Sequence, residues 1–353
     1  MNQEEMSKVL RPVSPPRMLE NVYTQAELNS LIAVLRQYGP WDLVIKHHFS
    51  SLEELMGSVG PQDGSKAVTL DSFVTPVFRG FLADHGVCLY DELREVFYNP
   101  HFMDYARQYW GGARYAQPYM MLFNLQAPGY CFDPGHLDSP GFRGMWHLNT
   151  PIWLLSAMAR SGLFKRWMLR TAQVIAWFYD SDEDGGFTYW PDGPLAPPAR
   201  LAAPLWNKGV VVQNEYLCHR GEASGPRHRR PLPAGFTFDS TISAAPDSAD
   251  GWQINTGETV LRKVPHGEMR YLFHWDGEVF MDRADMKRRF DHLDDITPDR
   301  ALEMLIADMR ARGVAFEVPS APMKDPQFIA LVSRTYFLSP ASYPPEAVPD
   351  VAA

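Results

Sequence analysis

The chain has 353 residues, of which 45% are hydrophobic and 21% charged, a composition typical of a globular protein with a sizeable core. Its 33 basic and 42 acidic residues give a formal net charge of −9, which argues against a nucleic-acid partner. The 3 cysteines are too widely spaced for a disulfide framework or a CxxC metal site. The sequence shows neither a signal peptide nor an apolar run long enough to span a membrane, so we expect a cytoplasmic protein without a membrane partner.

The chain begins with a polar, proline-rich segment, residues 1–20, which we expect to be a flexible arm. Residues 24–39 predict a helix. Thr24 and Glu27 have the spacing of a capping box, apolar residues recur on one face, and Gly39 can end the helix.

Further helical segments follow in the first third of the chain. Residues 51–60 predict a short helix, and residues 89–111 predict two helical pieces interrupted at Pro100. We therefore predict a helical N-terminal region over residues 21–112. It is expected to cover one face of the core or to make a contact in a homodimer.

The middle of the chain changes to short apolar runs separated by turn residues. We predict a strand that ends in an Ala-Pro-Gly turn, a hairpin with a Gly-Gly connection, a strand followed by a turn, and two short strands around Asp276-Gly277; these lie in residues 115–130, 174–191, 208–221 and 268–282. Such a series indicates an antiparallel barrel or jelly roll. We place this core at residues 113–285, with a helical insertion at 154–170.

The last part of the chain predicts helix again. Residues 296–313 have Thr297 as N-cap, Pro298 in the first turn and Gly313 as the stop. We predict a C-terminal helical region over residues 286–338 and a loose tail over residues 339–353.

Two ionisable residues follow the Gly- and Pro-rich stretch that begins at Gly129. His136 and Asp138 stand two positions apart, and on an extended segment such residues point to the same side. A third metal ligand is best supplied by His219, which ends the run VVVQNEYLCHRG, although His228 is also close in sequence. Two imidazoles and one carboxylate bind one face of a ferrous ion and leave the other face open.

In the order of its motifs, the sequence resembles the Fe(II)/2-oxoglutarate-dependent dioxygenases. The resemblance covers roughly residues 115–280 and rests on three stretches of the sequence, NLQAPGYCFDPGHLD, DEDGGFTYWPDG and QNEYLCHRGE. It implies an α+β protein with a double-stranded β-helix core, a jelly roll of cupin-like type, with an N-terminal helical region and additional helices. It also implies His136, Asp138 and His219 as iron ligands, and Fe(II), 2-oxoglutarate and O2 as cofactors.

A family member needs a cation for the distal carboxylate of 2-oxoglutarate, usually an Arg on the strand after the distal His. Arg270 lies in the better strand, whereas Arg230 lies at the spacing seen in many members but in a loop-like stretch. We prefer Arg270, because a buried carboxylate clamp belongs on a rigid strand. Asn124 is a further candidate for a hydrogen bond to the cosubstrate.

Substrate residues are sought in the stretch that follows the His-x-Asp motif. Arg143 could pair with an anionic substrate group, and aromatic side chains could line an apolar pocket; the candidates are Arg143, Trp146, His147 and Trp153. For Arg143 a surface role is equally compatible with the sequence, and for His147 and most of the aromatic residues a position in the core or at the rim is favoured.

The predicted function is oxidation, by default hydroxylation, of a small organic molecule with release of succinate and CO2. Two alternatives remain open. One is a cupin-type metal oxygenase that does not use 2-oxoglutarate, and the other is a non-catalytic, metal-binding jelly-roll sensor or binding protein.

Overall fold

The structure is a computed structural model and describes residues 3–48 and 74–350. Its α-helices are α1 Gln3–Val9, α2 Gln25–Gln37, α3 Arg94–Phe97, α4 Pro100–Tyr109, α5 Ile152–Ser161, α6 Arg283–Phe290, α7 Pro298–Ala311 and α8 Pro326–Thr335. Its strands are β1 Arg17–Glu20, β2 Trp41–Leu43, β3 Val77–Asp84, β4 Val87–Cys88, β5 Tyr115–Gln126, β6 Thr171–Phe178, β7 Phe187–Trp190, β8 Ala199–Leu201, β9 Lys208–Val212, β10 Cys218–Gly221, β11 Thr241–Ala244, β12 Trp252–Thr256, β13 Thr259–Val264 and β14 Arg270–Phe280. None of the helices in these two ranges has the length and apolar character needed to span a membrane.

The strands form two antiparallel sheets of unequal size. The large sheet has the order β1-β9-β6-β14-β5-β3-β2-β11-β12-β13, with β4 paired to β3. The small sheet has the order β10-β7-β8. Isolated bridges Gly129–Ser224 and His136–His219 add the segment after β5 as a fourth member beside β10.

The chain alternates between these sheets, and this alternation defines the fold. It passes from β5 to the segment 129–136, then to β6, to β7 and β8, to β9, to β10 and finally to β14. Four neighbouring strands of the large sheet thus oppose four members of the small sheet. This is a double-stranded β-helix, and the α+β jelly-roll fold implied by the resemblance is confirmed.

Apolar side chains from both sheets pack in the space between them. Ile175 and Trp177 of β6 and Val210 of β9 pack with Phe187 of β7, and Leu272 of β14 lies against this cluster. The opposite face of the large sheet packs on α2 and α4. A second helical layer of α1, α5, α7 and α8 forms a separate apolar cluster. Burial of apolar area in these three layers is the main stabilisation of the fold.

The two faces of strand β14 have different surroundings. Tyr271, Phe273 and Trp275 belong to the cluster under the helices, so residues 270, 272, 274 and 276 point to the other side, between the sheets. This inner face carries Arg270, His274 and Asp276 although every residue of the strand except Leu272 is buried. Ionisable side chains in such a place are costly, which indicates a site and not packing.

Several predicted elements form where expected. The helix at 24–39 is α2, and Thr24 and Glu27 make the capping box. The helical pieces around Pro100 are α3 and α4, and Pro100 begins the second of them. The helix at 296–313 is α7, with Thr297 as its N-cap. The predicted helix at 51–60 lies outside the described residues.

Other predictions are wrong. The runs at 174–191 do not form a hairpin, because β6 lies in the large sheet and β7 in the small one. The run at 208–221 is two strands, β9 and β10, in different sheets. The run around Asp276-Gly277 is the single strand β14, with a bulge at that point. A turn signal marks a break in register, but it does not determine whether the next strand pairs with the last.

The outer regions also differ from expectation. The predicted helical region 21–112 contributes β2, β3 and β4 to the large sheet, and the arm 1–20 contains α1 and β1. The helical insertion predicted at 154–170 is the shorter α5, which ends at Gly162 with φ +71°. The predicted loose tail is fixed up to residue 350, as described below.

Candidate metal centre

The His-x-Asp turn is shaped by the residues before it. Gly135 has φ +115°, a left-handed conformation that favours glycine, and a Cβ there would meet Pro340, Cys218 and Trp190 at 3.0–3.2 Å. This turn lets the Asp133 carboxylate accept from the Gly135 backbone N–H at 2.8 Å. The same carboxylate accepts from Nδ1 of His136 at 2.6 Å.

The distal histidine is brought to the same place by backbone pairing. His136 and His219 exchange both backbone hydrogen bonds, each 3.0 Å long. Nδ1 of His219 donates to the Leu217 carbonyl at 2.9 Å. Each imidazole therefore has its Nδ1 occupied, which leaves Nε2 as the free ring nitrogen in both.

These two Nε2 atoms converge with one carboxylate oxygen. Nε2 of His136 lies 3.9 Å and Nε2 of His219 lies 3.7 Å from Oδ1 of Asp138. The ligand atoms of His136, Asp138 and His219 all lie within 4.8 Å of one another. The backbone N–H of Asp138 donates to the Asn214 carbonyl at 3.1 Å, which fixes the third ligand on the same framework.

The site is open on one side. The His136 side chain is 49% exposed and that of Asp138 is 30% exposed, whereas that of His219 is only 8% exposed. A metal held here would face the surface on the side of His136. His228 is also exposed, on the short 3-10 turn Arg227–Arg229, and does not belong to the cluster.

Three histidines and one arginine surround the Asp138 carboxylate. Burial alone would raise the pKa of Asp138, but His219, His274, His136 and Arg79 together lower it to about 2. The pKa of His136, lowered by burial, is raised to about 9 by its pairing with Asp133. Asp138 is therefore a carboxylate, able to act as an anionic ligand.

Arg270 lies on the inner face of β14, as the clamp assignment requires. It is 3% exposed, and its Nε, Nη1 and Nη2 donate to the Gly185 carbonyl (2.7 Å), Oε1 of Gln126 (3.3 Å) and the Gly186 carbonyl (3.2 Å). Burial lowers the pKa of Arg270 to about 10. Within the described ranges no carboxylate makes an ion pair with this guanidinium.

Arg230 is used differently. It is also buried, but its Nη2 pairs with Asp184 at 2.6 Å and its Nε donates to the Gly225 carbonyl at 2.9 Å. It ties the turn before β7 to the loop after β10. This engagement disfavours Arg230 as the residue that binds a cosubstrate.

The predicted substrate residues are dispersed. Arg143 donates hydrogen bonds to the Asp294 carboxylate at 2.6 and 2.9 Å and to the Arg166 carbonyl, so its guanidinium connects these segments of the fold. Trp153 packs in the layer of α1, α5, α7 and α8. Neither role leaves a group for the substrate, and the sequence could not show this because Asp294 lies 151 residues away.

The two remaining candidates lie on the loop after the motif. His147 is exposed and lies within electrostatic range of Asp84 and His85. Trp146 is half-buried, and its Nε1 has no partner among the described residues. These facts leave their role in substrate binding a prediction.

Asn124, Arg79 and His274 complete the inner surface. Asn124 lies on β5 and accepts at Oδ1 from Nε of Arg79 on β3, at 2.9 Å. His274 stands two positions before Asp276 on β14, and its Nε2 is buried without a partner among the described residues. The alternation of β14 places His274 within a strand and favours a satisfied core histidine, which the unpartnered Nε2 does not match. Arg79 lies on a strand that was not predicted.

A groove of about 440 Å3 lies elsewhere, between α2 and the outer face of the large sheet. Leu28, Ile32, Phe178, Trp206 and Tyr271 are among its lining residues. It shares no residue with the triad, so we assign the chemistry to the convergent polar side chains and not to this groove.

Comparison with known proteins gives remote structural matches only. No family model matches the sequence, and no curated protein is detectably similar to it. An oxidoreductase of the 2OG-Fe(II) oxygenase family from Burkholderia pseudomallei is 12% identical, with 79% of this chain and 91% of that chain covered and a TM-score of 0.38. A prolyl hydroxylase from Trichoplax adhaerens, in complex with a hypoxia inducible factor peptide fragment, is 12% identical, with 83% and 93% covered and a TM-score of 0.37.

A third match is a Pseudomonas putida prolyl-4-hydroxylase. It is 10% identical, with 76% of this chain and 94% of that chain covered and a TM-score of 0.33. The assignment of the fold rests on the strand order of this chain itself, and that of the metal centre on the convergence of its three side chains.

Proposed function

We propose that the protein is an Fe(II)- and 2-oxoglutarate-dependent oxygenase that oxidises a small organic molecule. One observation carries the proposal, the convergence of Nε2 of His136, Nε2 of His219 and one oxygen of Asp138 on a shared point between two sheets. Two imidazoles and one carboxylate, arranged on one side with the other side open, are the ligand set of non-haem ferrous oxygenases.

The residues fit such a metal in detail. Asp133 and the Leu217 carbonyl hold the two Nδ1–H groups, so that both rings present Nε2 in the tautomer that binds a metal. When bound, iron would allow O2 to act as the oxidant, with two electrons supplied by 2-oxoglutarate as it becomes succinate and CO2, two supplied by the substrate, and hydroxylation as the default outcome.

The protein contributes binding and orientation. Asp138 adds the negative ligand, and the buried wall of Ile175, Trp177 and Leu272 excludes water from the inner side of the centre. We assign Arg270 to the distal carboxylate of 2-oxoglutarate, because it is a buried cation on a rigid inner strand that lacks an acidic partner in the described residues.

The test is a turnover assay on the whole chain. Protein is incubated with Fe(II), ascorbate and 2-oxoglutarate, and succinate is measured with and without a panel of small organic molecules. We expect slow succinate formation without substrate and faster formation with the correct one. The variant His219→Ala should give none, whereas His228→Ala should match the wild type.

Two results would favour the alternatives. Oxygen consumption that needs iron but not 2-oxoglutarate would indicate a cupin-type oxygenase. Iron binding with no turnover across the panel would indicate a sensor or binding protein. A different result would contradict the metal centre itself: unchanged metal affinity in all three variants, His136→Ala, Asp138→Ala and His219→Ala.

A further inference from the structure

A second cation lies beside the triad and is not explained by the proposed chemistry. Arg79 pairs in register with Asn124, and Asn124 pairs with Leu272 on β14. Phe78 belongs to the cluster under the helices, so Arg79 points to the other side, into the space between the sheets. Its charge is close enough to help lower the pKa of Asp138.

Arg79 and Asn124 together form a surface of hydrogen-bond donors. Nε of Arg79 donates to Oδ1 of Asn124 at 2.9 Å, which orients the amide and leaves Nδ2 of Asn124 as a donor. In residues 3–48 and 74–350, no hydrogen bond or ion pair occupies that Nδ2 or the two terminal nitrogens of Arg79. A charged fork and an amide N–H2 beside each other match an acceptor that is itself an anion.

Two imidazoles lie near Arg79, and burial lowers the pKa of both, so they add ring nitrogens and not positive charge. His47 lies with Nε2 3.3 Å from the Arg79 carbonyl, and His48 is within electrostatic range of Arg79, His136 and Asp138. Asp42, which pairs in register with Arg79 from β2, is bound to Lys46 at 3.0 Å. On a chain of net charge −9, the guanidinium of Arg79 and the amide of Asn124 beside the candidate metal centre form a local group of hydrogen-bond donors.

Arg79 is distinct from the residue assigned to the cosubstrate. Arg270 pairs with Gln126 at the start of β14, whereas Arg79 pairs across Asn124 with Leu272, two positions nearer to His274. Arg270 is engaged by three carbonyl-type oxygens and fully buried, whereas Arg79 is half-buried and its fork remains available. The two cations can therefore hold two different anions.

We propose that the substrate is a small organic acid whose anionic group is bound by Arg79 and Asn124 beside the metal. The proposal rests on the oxygenase function and adds the chemical class of its substrate. A carboxylate matches the planar fork of Arg79 best, and phosphate or sulfate esters share the same oxyanion chemistry.

The test measures binding and not turnover. The protein is loaded with Fe(II) and saturating 2-oxoglutarate without oxygen, so that the cosubstrate site is filled. Matched pairs of small carboxylic acids and their neutral amides are then titrated by calorimetry, with inorganic phosphate and sulfate as further probes. We expect at least one acid to bind while its amide does not, and inorganic phosphate and sulfate to bind more weakly than that acid.

Variants then assign the contact. Arg79→Gln and Asn124→Ala should each weaken the best acid, Arg79→Gln by about 10- to 100-fold as for a lost charge-assisted hydrogen bond. Arg94→Gln, at a 66% exposed side chain on α3, is the control and should change nothing. Thermal unfolding shows that each variant is folded.

Three outcomes would overturn the proposal. The first is that no acid in the panel binds more tightly than its amide. The second is that the best acid binds to Arg79→Gln with the affinity that it has for the wild type. The third is that Arg79→Gln weakens the binding of 2-oxoglutarate and not that of the acid. The last result would make Arg79 a cosubstrate residue. Failure of the oxygenase function itself is seen separately, as lack of iron or 2-oxoglutarate binding before any acid is added.

Discussion

His136 and His219 face each other across an antiparallel bridge, with ring centroids 4.5 Å apart and both backbone hydrogen bonds formed at 3.0 Å. The metal centre is therefore built on backbone pairing between the segment after β5 and β10. Side-chain packing has only to set the ring rotations, and Asp133 and Leu217 do so. A site fixed in this way needs little rearrangement when a metal binds.

The first prediction concerns the ligands. His136→Ala, Asp138→Ala and His219→Ala should each lower Fe(II) affinity strongly, because each removes one of three converging donors. Metal content after dialysis and calorimetric titration measure the effect. His228→Ala is the matched control, since that residue is exposed and outside the cluster. A larger loss in His228→Ala than in His219→Ala would show that the third ligand is misassigned.

The second prediction concerns Asp133, which binds no metal itself. Asp133→Ala should weaken Fe(II) binding by about 10- to 100-fold, because the Nδ1–H of His136 loses its acceptor and the ring its orientation. Asp133→Asn should fall between this variant and the wild type. Asp91→Ala, at a 93% exposed carboxylate, is the control. Unchanged affinity in Asp133→Ala would mean that the turn alone orients His136.

The third prediction compares two buried arginines. Arg270→Ala should raise the Kd of 2-oxoglutarate by more than about 100-fold, since an unpaired carboxylate in a buried site costs about 3–5 kcal/mol. Fe(II) affinity should change little. Arg230→Ala should destabilise the fold through its lost pair with Asp184, yet leave the Kd unchanged. Calorimetry with Fe(II)-loaded, oxygen-free protein measures the Kd of 2-oxoglutarate for both variants. A larger increase in Kd for Arg230→Ala than for Arg270→Ala would reject Arg270 as the clamp.

The fourth prediction concerns the small sheet. The Glu222 side chain is 3% exposed and binds Arg200 at 2.7 Å and Thr188 at 2.7 Å, which joins β10, β7 and β8. Glu222→Ala should lower the free energy of unfolding by about 3–5 kcal/mol, because it leaves the half-buried Arg200 without its partner.

The exposed pair Arg300–Glu303, on α7, provides the comparison for this fourth prediction. Glu303→Ala should change the free energy of unfolding by no more than about 0.5 kcal/mol. Urea unfolding followed by circular dichroism measures both variants. Equal effects of the two substitutions would contradict the structural role of Glu222.

The three residues of the candidate metal centre could be predicted because their evidence is local. His136 and Asp138 stand in one short turn, and His219 ends a clear apolar run. The double-stranded β-helix fold was implied by the resemblance that these motifs carry. In contrast, pairing between sheets is decided by contacts between distant residues, so the supposed hairpin at 174–191 was wrong.

The functional arginines show the same limit. Arg143 looked available because its partner Asp294 lies 151 residues further along the chain. Arg79 was not considered because its strand was not predicted, and its partner Asn124 lies 45 residues away. Sequence patterns report the period and the ends of elements, and they do not report which side chain neutralises which.

Residues 343–350, at the end of the described chain, make hydrogen bonds to the turn before His136 and to β10. The Tyr343 hydroxyl donates to the Pro134 carbonyl at 2.8 Å, Asp350 accepts from the Cys131 N–H at 2.7 Å, and Arg220 donates to the Ala347 carbonyl at 3.0 Å. During synthesis these contacts form only after residues 340–350 have left the ribosome, long after the three ligands have emerged. The turn that carries His136 and Asp138 is thus secured by residues made well after it, and a nascent chain that stops after α8 carries all three candidate ligands without this support.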